Sequence, residues 1–130
     1  MNAQHGESVF ARQWNNYRNV HHSRKNLLIH ALTVPVFMAG TLSVGAGIVL
    51  AIVGKASALG AAGAIVGGLF AMVFAIGMQG VGHKSEEQPP EPFAGPKDVF
   101  ARLFAEQWIT FPRYVLSGQF ARALFSSVEL

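Results

Sequence analysis

The sequence predicts an all-α, multipass membrane protein: an antiparallel transmembrane helical hairpin flanked by interfacial amphipathic helices. Three observations predict it. Only 13% of the 130 residues are charged and 51% are apolar, against roughly 25% charged in ordinary soluble domains. Two uncharged runs, residues 26–54 and 56–83, are 29 and 28 residues long, and about 20 residues cross the hydrocarbon of a bilayer. Lys55 alone separates them, next to Gly54 and close to Ser57, so the chain is expected to turn there and return. A soluble chain of this length could not wrap two such helices completely.

The first element is an interfacial helix over residues 8–22. Phe10, Trp14 and Tyr17 recur at i, i+4 and i+7 and form one aromatic stripe, while Arg12, Asn15, Asn16 and Arg18 are polar. Residues 1–7, with His5, read as a polar tail. The two spans follow at 27–54 and 56–82. Pro35 lies one turn inside the first and predicts a kink. Both are rich in glycine and alanine. Gly40, Gly45 and Gly47 mark the first and Gly63-x3-Gly67 the second. Small residues let helix backbones approach closely in lipid, so the pattern suits packing of the two spans on each other or a homo-oligomer. Residues 84–97 contain four prolines and a glycine, which exclude a regular helix. Asp98 is placed to cap a last interfacial or re-entrant helix over 98–125. Phe100, Leu103, Phe104, Trp108 and Phe111 form its apolar stripe, and Pro112 interrupts it.

The cations set an orientation. Arg12, Arg18, Arg24 and Lys25 precede the first span, Lys84, Lys97, Arg102 and Arg113 follow the second, and the turn carries only Lys55. The positive-inside rule then puts both termini in the cytoplasm, as for a protein of a bacterial inner membrane or its equivalent. The first 25 residues lack the apolar core of a cleavable signal peptide. There are no cysteines, which excludes disulfides, thiolate metal sites and cysteine catalysis. The net charge of +3 is gathered at segment ends and points to a membrane surface, not nucleic acid.

The chemistry lies in the histidines. His21, His22 and His30 stand at the mouth of the first span and His83 at the end of the second, so an antiparallel hairpin brings these levels together. His22, Asn26 and His30 fall at i, i+4 and i+8, roughly one helix face. His21 and His30 are half a turn out of phase and can face one ion only if the helix breaks between them, with residues 23–25 as the expected place. Glu86 or Glu87 would add a carboxylate. Three or four imidazoles with a carboxylate suit iron(II), zinc or manganese. Gln79 and Asn26 are candidates either for orienting ligand imidazoles or for interhelical hydrogen bonds.

The pattern Tyr17-x3-His21-His22-x3-Asn26-x3-His30-x4-Pro35, followed by Gln79-Gly-Val-Gly-His83 with a carboxylate and prolines after it, resembles the fungal 2-hydroxy fatty acid dioxygenase family. The likeness covers roughly residues 10–120. It implies an iron(II)-dependent membrane enzyme of fatty acid α-oxidation, which uses O2 to shorten a 2-hydroxy fatty acid by one carbon. It carries over His21, His30 and His83 as metal ligands, with His22 and Glu87 beside them, and Tyr17, Asn26 and Gln79 as supporting residues. Arg24 or Lys25 would then hold the substrate carboxylate at headgroup depth. This chain is shorter than the fungal pattern, and its segment after His83 is richer in proline and acid. Two other classes fit the same residues: a non-enzymatic membrane protein using the histidines as a structural metal clip or partner contact, and a zinc-dependent membrane hydrolase.

Overall fold

In the computed structural model, which describes residues 6–126, all the regular structure is helical. His5 lies outside the described residues. The helices are α1 (Val9–Val20), α2 (Arg24–Ile52), α3 (Ala58–His83), α4 (Pro96–Ala105), a π-helical turn (Glu106–Thr110), α5 (Phe111–Leu116) and α6 (Gln119–Ser126). They form two compact units. Among the described residues, one holds 6–29 and 81–126; the other is His30–Gly80.

In the first unit, Ser8 caps α1 by accepting the Ala11 amide at 3.2 Å. The helix stops at Val20, and His21 takes a non-helical conformation (φ −140°, ψ 66°). The break therefore falls at 21–23, slightly before the expected place. Ser23 explains the shift. Its Oγ accepts the Asn26 amide at 3.4 Å and its carbonyl the Leu27 amide at 2.9 Å, which makes it the cap that restarts the helix.

Against α1 lies the run α4, π turn, α5. The Gln13 side chain ties them: it donates to the Arg102 carbonyl at 2.7 Å and accepts from the Thr110 hydroxyl at 2.7 Å. The Arg113 guanidinium covers the Trp14 ring at 3.8 Å. Pro112 follows an irregular turn of this helix and does not end it. A proline ring collides with the carbonyl four residues back and supplies no amide hydrogen. Here the preceding turn widens, and the Phe111 amide reaches the Glu106 carbonyl instead. The helix breaks later, at Gly118 (φ +83°).

The proline-rich stretch is held by Arg102, which donates to the carbonyls of Glu91 at 2.7 Å and Pro92 at 3.0 Å and covers the Phe93 ring. Asp98 reaches back to accept the Ala94 amide at 2.9 Å and meets Arg12 at 3.4 Å and Arg102 at 3.3 Å. Those bonds, the backbone amide first, hold its carboxyl below its ordinary 3.8.

The second unit is an antiparallel pair of helices. α2 continues through Pro35 and ends in a Schellman turn. Gly54 adopts φ +69°, its amide reaches the Ala51 carbonyl, and the Lys55 amide reaches the Leu50 carbonyl at 2.9 Å. Ser57 then caps α3 through the Gly60 amide. Backbone contact between the helices is made at Gly40, Gly47 and Gly68. A Cβ on Gly68 would sit 2.5 Å from the Gly40 carbonyl oxygen, and one on Gly47 3.0 Å from that of Ala61. Gly63 and Gly67, the pair that stands out in the sequence, have open space where a side chain would go. Ser43 donates to the Ala64 carbonyl at 2.8 Å, and Gln79 to the Thr33 hydroxyl at 3.0 Å. Gln79 thus makes the interhelical bond that was one of its two expected roles. α2 and α3 are long and apolar enough to cross a membrane, and only 17% of the most apolar window of each is buried.

Candidate metal centre

The break at residues 21–23 turns His21 inward, where it is 3% exposed. Its Nδ1 lies 3.1 Å from the Tyr17 carbonyl oxygen. A carbonyl only accepts, so Nδ1 carries the proton. Nε2 then faces Glu106 Oε1 at 3.1 Å. Two lone pairs at that distance repel unless a cation lies between them, either a proton or a metal ion. The Tyr17 ring stacks on His21 at 3.7 Å between centroids, and its hydroxyl donates to the same Glu106 oxygen at 3.1 Å. Burial first, then the Glu106 charge and this bond, raise the Tyr17 hydroxyl well above its usual range, so it remains a donor. Tyr114 donates from its hydroxyl to the His21 carbonyl at 3.3 Å, and burial raises it as well.

His83 completes the constellation in this unit. Its ring meets that of His21 edge-on, with centroids 4.6 Å apart. One ligand atom each from His21, His83 and Glu106 lies within 4.8 Å of the others. Two ligands on opposite sides of one ion, at the usual distance of about 2.0–2.2 Å, are separated by about 4.4 Å. The group is a slightly open version of such a shell. The three residues line a cavity of about 60 Å³, together with Arg12 and Arg102 among others. The donor set fits a divalent metal: imidazole nitrogens and a carboxylate, with the second nitrogen of His21 held by a backbone carbonyl as ligating histidines require.

The other predicted residues fall as follows. Asn26 is fully buried and its amide donates to the Val20 carbonyl at 3.2 Å and Glu86 Oε1 at 2.9 Å. Those bonds use both hydrogens, and the amide nitrogen lies 3.5 Å from His83 Nδ1. Gly82 makes room, since a Cβ there would meet the Asn26 side chain at 2.5 Å. His30 is fully buried in α2, one helical turn beyond Asn26 on the same face. His22 points elsewhere; its side chain is 56% exposed, and its Nε2 lies 3.7 Å from Glu86. Glu87 is exposed, as are Arg24 and Lys25. Arg24 Nε donates to the Leu124 carbonyl at 3.3 Å.

Of the two acids that follow His83, Glu86 is the buried one. It accepts the amides of His22 at 2.9 Å and Ser23 at 2.8 Å, at the start of α2. The carboxylate beside the imidazoles is Glu106, and not Glu86 or Glu87 as the sequence suggests. A signal for it existed: it is the one acid between residues 99 and 126. Comparison with known protein families, with curated proteins and with solved structures finds no match.

Proposed function

We propose that His21, His83 and Glu106 hold a divalent metal ion and that the protein is an iron(II)-dependent membrane dioxygenase acting on 2-hydroxy fatty acids. The observation that carries this reading is the facing of His21 Nε2 and Glu106 Oε1 across 3.1 Å, with the His21 proton fixed on the other nitrogen. The resemblance adds His30, which is buried in α2, as a further ligand. The resemblance of the Tyr17–Pro35 and Gln79–His83 blocks to the fungal enzymes supplies the reaction. Bound iron would supply O2 activation and chelation of a 2-hydroxy acid. The balanced reaction takes one O2 and one 2-hydroxy acid to the acid one carbon shorter, CO2 and water.

The chain's own residues have definite parts. Tyr17 and the Tyr17 carbonyl orient Glu106 and His21. Arg12 and Arg102 line the cavity and offer positive charge to a carboxylate, the part that Arg24 and Lys25 were expected to play. In this reading α2 and α3, long and apolar enough to cross a bilayer, anchor the chain in the membrane, where an amphiphilic substrate resides.

The test is incubation of the detergent-purified chain with iron(II), O2 and 2-hydroxypalmitate. The expected result is pentadecanoate in the wild type and none with Glu106→Ala or His83→Ala. The small volume of the cavity favours a second reading, a structural clip with no room for substrate. In that case metal binds stoichiometrically and its removal lowers the melting temperature, but no O2 is consumed.

A further inference from the structure

A second cleft in the first unit has a different chemistry. It is about 610 Å³ in volume and is lined by Arg18 and Asn19 of α1, His22 of the α1–α2 connection, and Gln119, Arg122 and Ser126 of α6, with Tyr114 among its walls. Its size is that of a ligand site and not of a packing void. No acid is among the described lining residues. Glu86, which lies against His22, has a side chain 1% exposed, with Oε1 held by the amides of His22 and Ser23. Its charge is largely spent inside the protein. Arg122 is oriented by bonds from Nε to the Gly118 carbonyl at 3.5 Å and from Nη2 to the Ser117 carbonyl at 3.4 Å, which leaves Nη1 for a ligand. Arg18 is exposed.

We infer that this cleft binds a phosphate group, carried by a phospholipid headgroup or by a soluble phosphate ester. A carboxylate is satisfied by one guanidinium in a planar fork. Here two guanidinium groups, an imidazole, two carboxamides and a hydroxyl stand around one space on three separate chain segments, an arrangement that serves the several oxygens of a tetrahedral anion. The same C-terminal segment exposes Leu116 (87%) and Phe125 (70%), apolar side chains suited to lie beside acyl chains. The cleft is independent of the metal reading, because none of its lining residues is a proposed ligand.

The experiment is calorimetric titration of the full chain in a phosphate-free maltoside detergent with inorganic phosphate, with dihexanoyl phosphatidic acid and with dihexanoylglycerol. Saturable binding of phosphatidic acid is expected, weakened tenfold or more by Arg18→Gln and by Arg122→Gln and unchanged by Lys55→Gln. Phosphatidic acid binding at least tenfold tighter than phosphate identifies a lipid headgroup; equal affinity identifies a soluble phosphate. The inference is overturned if neither phosphate ligand saturates, if dihexanoylglycerol binds as well as phosphatidic acid, or if Arg18→Gln leaves affinity unchanged. Arg122 bonds to its own backbone, so Arg18→Gln is the deciding variant, with circular dichroism confirming its fold.

Discussion

Adjacent glutamates can have unrelated duties, and Glu86 and Glu87 illustrate it. Glu86 accepts two backbone amides and the Asn26 side chain while nearly buried; Glu87 is exposed. Charge-assisted bonds and a helix cap each contribute on the order of 1–3 kcal/mol. Glu86→Ala is therefore expected to lower stability by about 2–3 kcal/mol and Glu87→Ala by less than about 0.5 kcal/mol, as chemical denaturation will measure. Spacing along the chain could not choose between them, since both lie within one turn of His83. Tyr17 was legible as a supporting residue from its place in the motif. Its bond to Glu106 was not, because 89 residues separate the partners.

The helices show which sequence signals carry packing. Gly63-x3-Gly67 is the most visible small-residue pattern, yet both positions face open space, and the close approach of α2 and α3 uses Gly40, Gly47 and Gly68. Gly68→Ala should cost about 1–3 kcal/mol through overpacking against Gly40 and Val44. Gly63→Ala should be neutral or stabilising by up to about 1 kcal/mol from helix propensity alone. Equilibrium unfolding in mixed micelles distinguishes them. At the other end of the chain, α4 is tied to α1 through Asp98 and Arg12. The Asp98 carboxyl is depressed in the folded state. Its contribution is present above its unfolded value and is lost as pH falls through the lower folded value. Protection of the Ala94 amide from hydrogen exchange, corrected for intrinsic rate, should fall with acidification below pH 3.8, and Asp98→Asn should abolish that dependence.

On the scale of the molecule, the two long helices leave apolar surface such as Leu32, Phe70 and Val73 more than 70% exposed. Apolar surface of that extent marks a face for a membrane or a protein partner, and the proposed reading assigns it to a bilayer. The proposed topology has both termini on the cytoplasmic side. Because the chain lacks cysteine, single-cysteine labelling can test it directly. In intact cells, an impermeant maleimide should label Lys55→Cys and not Lys84→Cys; labelling of Lys84→Cys alone would invert the orientation, and equal labelling of both would remove the membrane crossing.

The sequence by itself determined the helical class, the two apolar runs, the turn at Gly54 and Lys55, and the histidines worth watching. Those are properties of local composition and periodicity, which act over a few turns of chain. Only the tertiary structure decided that the break falls at 21–23, that Gln79 binds Thr33, and that Glu106 stands against His21. Each depends on which segments return to meet one another. For Glu106 that return passes through a proline-rich loop and α4, whose combined path no spacing rule along the chain encodes.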